Sequence, residues 1–155
     1  MIKRIAIRNF KAIKDSGALD LQPLSVFIGN NGTGKSSVVE ALRTLQTCVK
    51  GNLQEGFKEW GDLARVHNYL TQREEVQITE AGFRKKNEGI YIHLECEIKG
   101  VNFEYNVTLN TNESGNLMVV ENESLFKAGQ PVFEAKVIDN NGIGIFKVWQ
   151  PLLHE

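Results

Sequence analysis

The chain has 155 residues, of which 41% are hydrophobic and 24% charged, and its net charge is -1. That length suits one domain or one lobe of a larger one, and the composition supports an ordinary packed core. The near-neutral balance excludes a chain-wide electrostatic grip on nucleic acid. No apolar run reaches the roughly 18 residues of a membrane span, so no membrane partner and a cytoplasmic location are expected.

Residues 2–10 are β-rich and predict a strand, with a second short strand at 18–21. Pro23 separates it from a third, over 24–28, where Leu24, Val26 and Ile28 alternate. A Gly-rich loop follows, and then a helix over 35–49. Its residues Val38, Val39, Ala41, Leu42, Leu45, Cys48 and Val49 recur at three- and four-residue steps. Lys50 suits the negative end of the helix dipole and Gly51 the position after it. Residues 52–72 are irregular, with a short helix expected near 61–68. The period then changes to two. Ile90, Ile92, Leu94, Cys96 and Ile98 face one way, and Val101, Phe103, Tyr105, Val107 and Leu109 repeat the pattern after a turn at Gly100. A second turn is expected at 111–116, and further strands at 117–120, 132–138 and 143–148, in an antiparallel meander with one wet face.

Several features have bland readings. Lys3, Arg4, Arg8, Lys11 and Lys14 form a basic cluster near the start, read as a solvated edge ahead of a phosphate-binding patch. Cys48 and Cys96 match no metal-ligand spacing and read as buried small hydrophobes. His67, His93 and His154 have no second ligand near them in sequence, and His93 falls on the polar strand face.

The loop is the sharp signal. Gly29-Asn30-Asn31-Gly32-Thr33-Gly34-Lys35-Ser36 fits G-x-x-x-x-G-K-S/T, the Walker A pattern, between an expected buried strand and an amphipathic helix. A polyphosphate has to be wrapped by backbone N–H groups, which requires unusual dihedrals and no side chains in the way; glycine permits both. The amides of Asn31, Gly32, Thr33, Gly34, Lys35 and Ser36 are expected to face the β-phosphate, helped by the helix N-terminus. Lys35 supplies a point charge between the β- and γ-phosphates, the Ser36 hydroxyl can coordinate Mg²⁺, and Ser37 can reach the α-phosphate. The Asn31 side chain can approach the γ-phosphate side. The ligands expected are therefore ATP and Mg²⁺. The echo of the loop at 138–144 lacks a lysine and a following helix and reads as a hairpin turn. Asp139 lacks the apolar run and following Glu of a Walker B strand.

Residues 2–45, with the "NFK" strand end, "FIGNNGTGKSS" and the "EAL" of the helix, resemble the N-terminal lobe of ABC-type ATPases of the chromosome-maintenance and DNA-repair group, and the resemblance weakens to about residue 110. More narrowly they resemble bacterial predicted ATPases related to OLD-family nucleases and anti-phage defence ATPases, and "EGFKEWGDLARVHN" resembles the stretch that leads into their antiparallel sheet. The resemblance implies ATP hydrolysis in a dimer, one subunit offering the P-loop and the other a signature motif. It carries Lys35, Ser36 and Ser37 over directly and places Lys11 near the nucleotide. It also implies a glutamine linking Mg²⁺ and the attacking water; Gln54 and Gln72 are the candidates, and Gln54 is carried as the metal-linked one. No signature motif, Walker B pair or switch histidine is found, so a C-terminal lobe, or a companion chain, is expected to supply them.

The expected fold is thus α/β in the mixed, α+β sense: a P-loop half-domain with a Walker A loop and helix on a mixed sheet, plus an antiparallel meander. Residues 1–51 form the nucleotide part, 52–74 an irregular linker and 75–150 the β subdomain. The expected function is the ATP-binding lobe of an ATPase in DNA maintenance or phage defence, homodimeric when whole, with nucleic acid or an effector protein as possible partners. The alternatives are a nucleotide sensor that binds without hydrolysis, and a small P-loop kinase or GTPase. The latter lacks a second metal aspartate and, for GTP, an N-K-x-D motif.

Overall fold

The computed structural model describes residues 1–61, 63–68, 76–79, 82–85, 88–111, 118–137 and 144–148. Two strands, β1 (Ile2–Phe10) and β2 (Ile13–Asp20), open the chain, and α1 (Lys35–Lys50), α2 (Leu53–Lys58) and α3 (Leu63–Val66) follow. The small hairpin β3 (Val76–Thr79) and β4 (Gly82–Lys85) precedes the meander of β5 (Ile90–Ile98), β6 (Val101–Thr111), β7 (Met118–Lys127), β8 (Gln130–Val137) and β9 (Gly144–Val148).

β1 and β2 do not stand apart from the meander. One seven-stranded sheet runs in the order β2-β1-β5-β6-β7-β8-β9, and every pairing among the described strands is antiparallel. The expectation of a mixed sheet is therefore corrected: the fold is α+β and strand-rich. β1 joins the meander because its alternate residues complete the same apolar face. Ile5 pairs with Leu94 and Ile7 with Ile92. The pairing of β5 with β6 sets Ile90 against Leu109, Ile92 against Val107, Leu94 against Tyr105, and Cys96 against Phe103. A slip of one residue would turn every one of these side chains to the wet face, which is why the register is firmly set. Lys99-Gly100 and Ala128-Gly129 close the β5–β6 and β7–β8 hairpins with positive φ at both positions, the two-residue turn whose twist suits antiparallel strands.

Several elements differ from expectation, three of them near the loop and α1. β2 begins at Ile13 rather than 18, because Asp15-Ser16-Gly17 forms a bulge and not a break. The register jumps between Ala6 and Arg8, Gly17 takes φ +60, and Ile7 N–H donates to Ser16 Oγ at 2.9 Å. α2 was not foreseen: Asn52 caps it by accepting from Glu55 N–H at 2.9 Å, and Gly56 lets it lie flush on α1, where a Cβ would meet Cys48 Sγ at 2.1 Å. Finally, residues 24–28 form no strand. Leu24, Val26 and Ile28 are 83%, 73% and 91% exposed.

α1 covers the apolar sheet face through Val38, Ala41 and Leu45, which join Ile5, Ile7, Phe10, Ile13, Ile90, Ile92, Val107 and Leu109 in one core with Phe57, Leu63 and Val66. The buried stripe is narrower than the sequence suggests, since Val39 and Val49 face solvent. Cys48 and Cys96 are free and half-buried rather than fully buried. At the end of β1 a buried polar clamp ties three segments. Asn9 Nδ2 donates to Gly89 O at 3.1 Å, Asn68 N–H donates to Asn9 O at 2.9 Å, and His67 Nε2 bonds Glu88 O. His67 is thus a buried structural residue. His93 is also largely covered, with its Nδ1 at 2.7 Å from Asn106 Oδ1.

Candidate functional site

The loop and the start of α1 carry the geometry that the phosphate reading needs. Gly34 is the N-cap of α1 with φ +89, and Gly32 has φ +81, both left-handed conformations that favour glycine. At Gly34 there is a second reason. A Cβ would lie 2.8 Å from Ile13 Cγ1, so the loop can press against the start of β2 only without a side chain. α1 has no side-chain cap and no acidic residue in its first turn. Its first amides are left to an outside acceptor, and no carboxylate offsets the positive end of the helix dipole.

Lys35 arches over the loop. Its Nζ donates to Gly29 O at 2.8 Å, Asn30 O at 2.5 Å and Thr33 Oγ1 at 3.3 Å, and Thr33 Oγ1 donates to Asn30 O at 2.9 Å. The ammonium is held by two carbonyls and a hydroxyl, all neutral, which an anion can displace because it adds its own charge to the bond. Ser36 is exposed, and its hydroxyl makes no hydrogen bond among the described residues; Ser37, in the first turn of α1, is buried. Asn31, Gly32 and Thr33 are exposed along the loop. These residues fit a nucleotide polyphosphate with Mg²⁺: free amides, a movable ammonium and a free hydroxyl converge on one turn of backbone.

Lys11 lies two residues before Ile13, which packs against Gly34, and is fixed from two sides. Its φ is +50, its N–H donates to Val66 O at 2.5 Å, and its carbonyl accepts from Asn68 Nδ2 at 2.7 Å. Its Nζ bonds Glu40 Oε2 at 2.8 Å and sits 3.2 Å from the centre of the Trp60 ring. Neither Glu40 nor Trp60 was singled out by the motif; the position of Glu40, one helical turn past Ser36, was the only signal available.

Gln54 is not brought to the loop. α1 is 16 residues long, about 24 Å at the α-helical rise, and α2 starts at its far end. There Gln54 lines a cleft with Asn52, Glu55, Phe57, Lys58 and Met118. Gln72 and Asp139 lie outside the described residues. Among the described residues no group of three or more His, Cys, Asp or Glu is placed to hold a metal. Of the basic cluster, Lys3 pairs with Glu97, Arg4 with Asp20 and Glu95, and Arg8 with Asp15, so these cations are largely neutralised on the sheet's wet face.

A family model described as an AAA ATPase domain matches residues 1–148. The chain belongs to this AAA ATPase family. A 41-residue stretch, 26% of the chain, is 49% identical to the DNA replication and repair protein RecF of Acinetobacter baylyi and covers 11% of that protein. The AAA ATPase domain is thus an ATP-binding, ABC-like P-loop lobe that resembles the DNA-repair ATPases. An ATPase domain implies nucleotide binding, and the Gly34-capped N-terminus of α1 has no side-chain cap on its first amides.

Proposed function

We propose that this chain is the ATP-binding lobe of a dimeric ABC-type ATPase in which hydrolysis is completed by parts outside these 155 residues. The observation that carries the binding half is the N-terminus of α1, uncapped, free of acid and overhung by the Lys35 ammonium. In this reading the amides of Asn31 to Ser36 cradle the β-phosphate. Lys35 leaves Gly29 O and Asn30 O to sit between the β- and γ-phosphates, and Ser37 N–H faces the α-phosphate. The Ser36 hydroxyl would hold Mg²⁺, which when bound would offset negative charge on the phosphates.

The second half rests on the exposed apolar segment before the loop. An extended run with Leu24, Val26 and Ile28 in solvent, and Val39 exposed just beyond the loop, is unusual for a stable surface. We read it as the seat of a further lobe, from the same polypeptide or a companion chain, whose strand would pair with 24–28. That lobe would bring the Walker B carboxylates and the signature motif. Gln54, on α2 at the far end of α1, lies too far from the loop for the metal-linked role, which we assign to Gln72 or to a residue of the further lobe.

The resemblance to RecF supports a role in DNA maintenance, with phage defence as the second setting and an effector protein as its output. The neutralised cations of β1 argue that any nucleic acid is held elsewhere than on this sheet face. Phosphoryl transfer requires an oriented water and charge stabilisation on the γ-phosphate. The purified chain is therefore expected to bind Mg-ATP and to release almost no phosphate, with turnover raised by orders of magnitude when the missing lobe is supplied. Vigorous, Lys35-dependent phosphate release by the 155-residue chain alone would overturn this. A full-length dimer that binds ATP and never hydrolyses it would establish the sensor reading instead.

A further inference from the structure

Lys11 is an unusually constrained cation for one that only decorates a surface. Its backbone adopts a left-handed conformation that residues other than glycine rarely take. Its N–H is bonded to Val66 at the end of α3 and its carbonyl to Asn68 just beyond, and its side chain is only 23% exposed. Its partners belong to two other elements. Glu40 is on α1, four residues and one turn beyond Ser36, hence on the same face of the helix. Trp60 closes α2 and is itself anchored to α1, its Nε1 donating to Thr44 Oγ1 at 3.2 Å. Two residues past Lys11, Ile13 touches the position of Gly34. The β1–β2 turn therefore contacts the P-loop at one end and the 60–68 segment at the other.

We propose, on the basis of the nucleotide reading above, that Glu40 and Trp60 hold the Lys11 ammonium in reserve, and that a nucleoside triphosphate seated on the loop draws it away from them. Glu40 is then a competing anion that lowers nucleotide affinity, and Trp60 is the surface from which the cation departs. A phosphate one helical turn from Glu40 offers Lys11 a more highly charged partner than a single carboxylate, and the four-carbon stem lets the ammonium swing while the backbone stays clamped. Release of the Lys11–Trp60 cation–π contact loosens the end of α2 from the turn. Occupancy of the loop is thereby transmitted to the 52–68 segment that leads into the hairpin and the meander.

The test is a double-mutant cycle on the intact chain, titrated with Mg-ATP by calorimetry and by fluorescence in a Trp149→Phe background that leaves Trp60 as the only indole. The arrangement predicts a Trp60 emission change on Mg-ATP binding, absent in Lys11→Met. Glu40→Gln should tighten binding about three- to tenfold, the scale of one partly shielded ion pair, and the gain should vanish in the Lys11→Met background. Two results would overturn the proposal while leaving the ATP site intact: Lys35-dependent binding with no Trp60 response, or a Glu40→Gln gain that persists in full without Lys11, which is simple removal of a nearby negative charge. If Glu40→Gln lowers the melting temperature and leaves affinity unchanged, the pair is a structural tie and the proposal is equally wrong. Folded protein that binds no nucleotide in any variant would overturn the ATP reading as well.

Discussion

Residues 24–28 and strand β5 carry the same sequence signal and meet opposite fates. Both alternate apolar side chains at every second position. In β5, Ile90 and Ile92 are buried to 0% and 1% exposure, because β1 and β6 pair with it on either side and α1 covers its face. In 24–28 the same pattern lies in solvent, with no ladder partner among the described residues. Period-two patterning specifies which face of a strand is wet, but a strand exists only where another strand satisfies its backbone groups. Strands β1 and β5 to β8 each have a neighbour on both sides; the segment that delivers the P-loop has none among the described residues, and that asymmetry is the structural reason to look for a second lobe.

The comparison can be broken most forcefully in the core. Ile92→Ala should destabilise the chain by about 3 kcal/mol, the usual cost of emptying a packed aliphatic site, read from denaturant unfolding. Gly34→Val comes next. The left-handed φ and the 2.8 Å approach to Ile13 together should cost about 2 kcal/mol and abolish Mg-ATP binding, measured by thermal melting and calorimetry on the folded fraction.

Tyr105→Phe tests the margin of the meander's apolar face, where Tyr105 packs against the core. The Tyr105 hydroxyl donates to Glu123 Oε1 at 2.6 Å, and burial together with that carboxylate holds it protonated far above the usual phenol range. A folded-state pKa raised in this way gives stability that is full below the unfolded value near 10 and falls as pH rises beyond it. The substitution should cost about 1 kcal/mol at neutral pH and make the alkaline decline shallower. An unchanged alkaline limb would mean the hydroxyl ionises freely in the folded chain. The smallest effect belongs to Ile28→Ala, expected within about 0.5 kcal/mol of the parent, as for exposed positions generally. If Ile28→Ala matched Ile92→Ala, the 24–28 segment would be buried by this chain itself and the asymmetry would disappear.

Much of this was legible in the residues. The Walker A pattern located the loop, α1 began at Lys35 as its periodicity requires, and the β5–β6 register followed from the two alternating runs and Gly100. Other features were hidden because they depend on partners distant in sequence. Asp15-Ser16-Gly17 looks like a strand end and proves to be a bulge within β2, stabilised by Ile7 across the pair. α2 has only six residues with a glycine among them, and it persists because Gly56 fits against Cys48. β7 runs to Lys127, well past the apolar 117–120 stretch, since pairing with β6 and β8 carries its polar residues into the ladder. At the site, the motif named Lys35, Ser36 and Ser37 but not Glu40 or Trp60, whose relation to Lys11 spans 29 and 49 positions in the chain.

The account's central claim is that the loop binds a nucleotide through its backbone amides and the Lys35 charge, and calorimetric titration of Mg-ATP into the parent chain and Lys35→Ala tests it most directly. Saturable one-site binding by the parent is predicted, with affinity lowered by about tenfold or more in Lys35→Ala, as expected when a charge-assisted bond to phosphate is lost. A folded Lys35→Ala chain that bound Mg-ATP as tightly as the parent would contradict the account.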